Sequence, residues 1–269
     1  MPAPIVDLRA LLKAQGRKRD LTLRPIQTTQ AQAKALARIY APIMQVWSDG
    51  ARDRILPAYA RSLATFTGDS PADIEIEIEA VEEEAVRATF SFRELFRSWS
   101  EQLMQWHITR LGSQLSYATN VDVTTQLGGA NGTLADALAR NTALVRDVSD
   151  QARGRIADIV FRGLQQRTPI RDVAREIEHA LSLGKRRSLL IASDQTVKLS
   201  ASLDKLRQEQ LGFSSFVWRH GGSAHPRLYH VARDGEVFRW DSEIARTDPP
   251  GYAVSCKCKA MGHMDLSEG

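Results

Sequence analysis

The sequence predicts an α+β protein: a mostly helical N-terminal body followed by a small, C-terminal, antiparallel β-rich module. Three observations carry this. Apolar residues recur at three- and four-residue spacing from about residue 28 to residue 212. After Gly212 the period changes to two. Residues 216–260 also gather three His, two Trp, a Pro-Pro-Gly turn and the chain's only two Cys.

Residues 1–27 read as a basic, flexible arm. Arg9, Lys13, Arg17, Lys18, Arg19 and Arg24 outnumber Asp7 and Asp20, and few apolar residues are present to offset the entropy of ordering. Such an arm is either a frayed, solvated tail or a docking element for an acidic surface or DNA phosphates. Residues 28–119 read as a helical domain. Leu36, Ile39, Ile43 and Val46 make one helical face up to about residue 66, with kinks expected at Pro42 and Pro57, where an N–H donor is missing. Residues 69–73, Asp-Ser-Pro-Ala-Asp, are a helix start with Ser70 as cap and Pro71 in the first turn. This start makes Ile74, Ile78, Val81 and Ala85 a helical face, although Ile-Glu alternation by itself would suit a strand. Phe92, Phe96, Trp99, Leu103 and Trp106 continue at 4-3-4-3 spacing as a seam against another helix.

Residues 120–212 form a second helical part. Gly128-Gly129-Ala130-Asn131-Gly132 is a loop, and no Gly-Lys-Ser/Thr follows to make it a phosphate loop. Helices are expected over 133–145 and 147–166. Thr168-Pro169 starts another, with Ile170, Val173, Ile177 and Leu181 inward and Gly184 as its end. Lys185-Arg186-Arg187 opens the last helix, which runs to Leu211-Gly212. Cations at that end oppose the helix dipole, so the corner is either a solvated face or a contact for DNA phosphates or an acidic protein surface. Residues 69–84 carry eight carboxylates and no basic residue. They are a complementary candidate for docking to that corner, within or between subunits.

The β-rich Cys/His module spans 213–260, with 261–269 as a tail. Strands are expected over 213–219, 236–240 and 253–259. Asp234-Gly235 supplies a hairpin turn, and Asp248-Pro249-Pro250-Gly251 a rigid one. Trp218 and Trp240 flank the hairpin as its core; base stacking would require them exposed beside Arg219 and Arg239. On a strand, Cys256 and Cys258 face one side while Lys257 and Lys259 face the other. Two thiolates on one side supply half of a tetrahedral zinc site, with His230, His225 or Asp241 available to complete it; otherwise they are small buried thiols. The metal candidates are therefore Cys256, Cys258 and His230, and the cofactor is either none or zinc. His230, three residues after Arg227, is read as a turn anchor bonded to a strand carbonyl or to Asp241. Its alternative is a base for a Cys256 nucleophile, a reading that lacks an orienting third group. His220, His225 and His230 are spaced by five and read as loop residues.

The ordered set Val217-Trp218-Arg219, Arg227 to His230, Gly235 to Asp241, Pro249-Pro250-Gly251 and Cys256-Lys257-Cys258 resembles the phage Mu F-type head morphogenesis domain of minor head proteins. The helix from Ala192-Ser193-Asp194-Gln195-Thr196 to Gly212 and the run Asn141 to Arg146 also fit, so the resemblance covers roughly 118–260. Ser223 and His225 stand where that family commonly carries an Asp and an Arg. The resemblance implies a low-copy head component near the portal vertex. Its implied partners are portal, major capsid or scaffold proteins, with packaged DNA as a further contact. It also implies synthesis in the host cytoplasm and a place in the virion at the head or portal vertex.

Composition fits this class. The chain has 269 residues, is 43% hydrophobic and 25% charged, and carries a net charge of +4, which is too weak to define a nucleic-acid binder. No apolar run approaches the roughly 18 residues of a membrane span, and no signal-peptide pattern opens the sequence, so a reducing cytoplasm and no membrane are expected. No His-Glu-x-x-His, Gly-x-Ser-x-Gly or Walker A pattern occurs, so no catalytic or cofactor-binding residue is assigned. Two further readings stay open. One is a zinc- or Cys/His-dependent hydrolase or nuclease. The other is a sequence-independent DNA-binding module using Lys185, Arg186, Arg187 and Arg227.

Overall fold

The computed structural model describes residues 4–65, 70–120, 122–222 and 225–267. It is mostly helical, with one small antiparallel sheet drawn chiefly from the C-terminal part of the chain. Two compact units are present. One gathers the chain up to Gln32, Trp99–Ala137 and everything from Ser193; the other comprises Ala33–Ser98 and Leu138–Ala192.

The first correction concerns the N-terminal segment. It is no arm. Residues Leu8–Ala14 form helix α1, capped by Asp7, whose Oδ1 accepts the Ala10 N–H at 2.9 Å, and Leu21–Thr22 form strand β1. Leu8, Leu12, Leu21, Leu23 and Ile26 are buried with Leu111, Leu115, Leu211, Phe213, Met264 and Leu266 in one cluster. Arg17 donates to the Ala118 carbonyl. The few apolar residues suffice because they fall on one face, and residues 90 to 240 positions away cover that face.

Helix α2 spans Gln30–Gly50, continues through a π-helical turn at Ala51–Ile55, and passes into α3, Leu56–Thr65. Pro42 sits inside α2 without ending it. Pro57 follows the π turn directly, and wider i→i+5 pairing is one of the ways a helix absorbs a missing donor. Helix α4, Ser70–Thr119, is a single 50-residue helix, about 75 Å long at 1.5 Å per residue. The Ile-Glu alternation is therefore helical, with Ile74, Ile78, Val81 and Ala85 buried as expected. Asp69 and the Ser70 side chain, expected to start this helix, lie outside the described residues. The aromatic seam is core, with Phe92, Phe96, Trp99 and Leu103 all buried.

Two helix breaks expected from sequence are absent. Helix α5, Asn131–Gln166, runs straight through Arg146, because Val145, Val148, Ala152, Ile156, Val160 and Leu164 keep one buried face throughout. Helix α6, Ile170–Gln210, runs through Gly184. A Cβ at Gly184 would stand 2.6 Å from Met44 Cε, so this glycine makes room for a packed side chain and does not end a helix. Lys185-Arg186-Arg187 consequently lies mid-helix. Arg187 pairs with Asp147 at 3.0 Å and bonds Gln151 at 2.6 Å. Within the chain the acidic run pairs elsewhere: Glu77 and Glu84 bind Arg54 at 2.8 and 2.9 Å, and Glu75 and Glu82 bind Arg153 at 2.8 and 2.7 Å. No described helix is long and apolar enough to cross a membrane.

The sheet has the order β1-β4-β2-β3, all neighbours antiparallel, with β2 at Ser215–Arg219, β3 at Val237–Arg239 and β4 at Lys259–Met264. The first two C-terminal strands match expectation. The third is shifted: 253–258 is turn and loop, and β4 occupies residues expected to be tail. The shift lets Leu21 pair with Met264 and Phe216 with Gly262. Gln208 donates to the Ala260 carbonyl at 2.9 Å and anchors β4 to α6. Asp234-Gly235 is not a two-residue hairpin connection. A short helix α7, Leu228–Ala232, precedes it between β2 and β3, although Gly235 does take the expected positive φ of 87°. Another short helix, α8 at Glu243–Thr247, follows β3 and is capped by Ser242.

Candidate metal centre

Phe216, Trp218, Trp240, Ala245, Cys256, Cys258 and Ala260 form the buried core of the C-terminal module. The Trp218 and Trp240 rings are therefore not available to stack bases. Phe216 lies 4.3 Å from Trp240 between ring centroids, which binds β2 to the end of β3.

Against this core stands His230, on α7 and 2% exposed. Its ring meets Trp218 edge-on at 5.0 Å and Tyr229 at 4.6 Å. Nε2 lies 3.0 Å from Asp248 Oδ2, and the same oxygen accepts from Arg233 Nη1 at 2.7 Å. Arg233 in turn lies over the Trp218 ring at 4.9 Å and the Tyr229 ring at 5.2 Å. A carboxylate on Nε2 orients the ring and, in a neutral imidazole, leaves Nδ1 as the nitrogen that carries the lone pair. Nδ1 faces sulfur: Cys256 Sγ is 3.5 Å away and Cys258 Sγ is 3.6 Å away. All three donor atoms lie within 4.8 Å of one another, and all three residues are buried.

Loop geometry explains how two cysteines in Cys-x-Cys spacing reach one point without a strand. The Asp248 N–H closes α8 on Ile244, and Gly251 takes φ +85° in the following turn. A Cβ on Gly251 would stand 2.9 Å from Ala201 Cβ and 3.2 Å from the Cys258 carbonyl, so the close approach requires glycine. Ser255 adopts the left-handed region at φ 59°, and its N–H is held by Asp194 Oδ1 at 2.7 Å. Arg227 donates to the Val254 carbonyl at 3.0 Å. This bond ties the start of α7 to the cysteine loop.

The electrostatics favour thiolate at one sulfur. Cys256 is pulled down to about 5, first by the hydrogen bond from the Cys258 thiol, then by the backbone N–H groups of Cys258 and Gly251 and by His230, with burial opposing. Cys258 is pushed up, first by holding that shared proton and then by burial; the Gly221 N–H and the Trp218 side chain act the other way. The Trp218 indole N–H has no oxygen or nitrogen acceptor among the described residues and leans toward this sulfur. Lys259, expected on the face opposite the cysteines, is buried, its ammonium pKa lowered by desolvation, with Asp204 opposing.

The remaining candidates separate. His225 is exposed and His220 is half-buried; neither joins the donor cluster, whereas His230 sits in a helix and not in a loop. Asp241 pairs with Arg239 at 2.8 Å and not with His230. Lys185, Arg186 and Arg187 belong to the other compact unit. Asp248 and Arg233 were not legible as site residues. Asp248 showed only as the start of a proline-stiffened turn, 18 positions from His230, and no periodic relation connects the two. Asp248 does supply the orienting group that the nucleophile reading lacked. Yet Cys256 is buried, and one imidazole nitrogen addresses two sulfurs equally, which suits a ligand set better than an attacking thiol.

Residues 154–261 match the family described as "Phage Mu protein F like protein". A Haemophilus influenzae (strain ATCC 51907 / DSM 11121 / KW20 / Rd) protein, described as "Uncharacterized protein", is 27% identical over 130 residues, covering 48% of this chain and 29% of that protein. The aligned part thus spans less than a third of that relative. No solved structure matches the chain. The matched segment contains α6, the three C-terminal strands up to residue 261 and all three members of the sulfur–imidazole cluster. Over this stretch the chain is similar to phage Mu F-like proteins.

Proposed function

We propose that this phage Mu F-like chain is a minor head protein of a tailed phage or prophage, acting in capsid assembly at the portal vertex and carried in the virion. The match over 154–261 carries the reading. It is supported by the way the matched motif residues serve one fold: Trp218 and Trp240 build the module's core, His230 and the two cysteines converge, and Pro249-Pro250-Gly251 turns the chain between them.

An assembly role requires surfaces that end up covered. Leu228, Tyr229, Val231, Val237 and Val254, all in the C-terminal module, are 43–83% exposed, and Val86 and Phe90, one turn apart on α4, are 55% and 66% exposed. Exposed apolar side chains gathered in one patch mark contact surfaces, and these are the candidates for such a patch. Portal, major capsid or scaffold protein are the partners this reading calls for, with DNA as a further contact through the exposed Lys185 and Arg186.

The test is genetic and structural together. Deleting the gene from its inducible phage or prophage is expected to lower the yield of DNA-filled heads. Complementation restores it, and quantitative mass spectrometry of purified particles finds the protein at a few copies per head. Normal yields of infectious particles in the deletion strain, with no copies in wild-type heads, would overturn the assignment.

A further inference from the structure

We propose that Cys256, Cys258 and His230 bind a zinc ion that ties helix α7 to the loop entering strand β4. A zinc with Zn–S of about 2.3 Å and Zn–N of about 2.0–2.1 Å in tetrahedral array sets each N···S separation at about 3.6 Å. The Nδ1···Sγ separations are 3.5 and 3.6 Å. The side chains thus already stand at ligand spacing around one point.

The surroundings match what a metal requires of its ligands. Asp248 on Nε2 directs Nδ1 at the sulfurs, the carboxylate–histidine arrangement that orients metal-binding imidazoles, and Arg233 holds the carboxylate in place. Backbone N–H groups of Gly251 and Cys258 approach one sulfur and that of Gly221 the other, and such donors stabilise metal-bound thiolate. Two thiolates with one imidazole select zinc over hard, oxygen-seeking cations. Burial of all three residues means the ion would serve the fold. It would close loops of 26 and 28 positions in a module whose described hydrophobic cluster comprises seven buried residues, a size at which small folds commonly rely on a metal.

Zinc binding does not depend on the head-assembly reading; either can fail alone. The experiment uses the full-length chain, purified under reducing conditions with thiols counted. Elemental analysis should find about one zinc per chain. Cobalt(II) added to metal-free protein should give thiolate-to-metal charge-transfer absorption and intense tetrahedral visible bands. Cys256→Ser and Cys258→Ser should abolish both. Asp248→Asn, which keeps every ligand, should retain the cobalt spectrum at saturating metal but weaken affinity by about 10–100-fold. The wild-type cobalt spectrum needs no variant, so a misfolded mutant cannot obscure the result. The proposal falls if fully reduced wild-type protein binds neither metal. It also falls if binding persists in the double Cys→Ser variant, as binding by surface histidines would.

Discussion

Leu11 and Leu12 are neighbours on one short helix, and substituting each in turn tests whether the N-terminal segment belongs to the core. Leu12 is fully buried, whereas Leu11 is 38% exposed and joins no core cluster. Truncating a buried leucine to alanine costs the transfer of its methyl groups and the cavity left behind, roughly 3–5 kcal/mol. At Leu11 the lost partial burial is largely offset by alanine's better helix propensity, so the change should stay within about 1 kcal/mol. With a urea dependence of about 2–3 kcal/mol per M, Leu12→Ala should lower the unfolding midpoint by about 1–2 M, and Leu11→Ala by a few tenths. Tryptophan fluorescence reports the right unit, because Trp99, Trp106, Trp218 and Trp240, four of the five in the chain, lie in the unit that contains α1. Equal and negligible shifts for the two variants would mean that the basic segment is a solvated arm after all.

Two further predictions rest on single atoms. Gly221→Ala places a Cβ 2.3 Å from the Lys257 carbonyl oxygen, against backbone that cannot rotate away, and should destabilise the C-terminal module by about 1–3 kcal/mol. The same change at Gly154, inside α5 with no atom within 4 Å of the new Cβ, should stabilise by about 1 kcal/mol; thermal melts that rank the two alike would refute the packing at 220–222. Tyr40 donates to Asn141 Oδ1 at 2.7 Å in the core of the helical unit, so Tyr40→Phe should cost about 1–2 kcal/mol in urea unfolding. Burial also holds the Tyr40 phenol well above its usual range. The folded state therefore keeps a proton that the unfolded state releases above about pH 10, and stability should fall as pH rises past that value. Removing this slope is the expected effect of Tyr40→Phe, and an unchanged slope would show that Tyr40 is not its source.

Part of the candidate site was legible in sequence. Cys256 and Cys258, with His230, His225 or Asp241 to complete the set, are the candidates residue type and spacing offer, and the structure brings His230 and the two cysteines within 4.8 Å of one another. The stated reason was incomplete, because alternation on a strand was to align the sulfurs. A left-handed Ser255 and a close-packed Gly251 align them instead, ahead of the strand. Asp248 and Arg233 stayed hidden because a carboxylate that orients an imidazole needs only to be near it in space. The basic corner misled for a related reason. Gly184 looks like a helix end in one dimension, and only the Met44 side chain opposite it explains why that residue is small.

Local chemistry settled the kind of structure each stretch forms. Spacing of three and four made helices as far as Gly212, spacing of two made the strands around Trp218 and Phe238, and the Pro-Pro-Gly turn bent where proline and glycine require it. Tertiary packing settled what each apolar face meets. It drew α1 and β1 into a core with Leu115 and Met264, fused pairs of expected helices into α5 and α6, gave the acidic run to Arg54 and Arg153, and moved β4 beyond the cysteines. Periodicity shows that a face must be covered, because that depends on neighbours three or four positions away. It cannot show what covers it, because that partner lies tens to hundreds of residues distant along the chain.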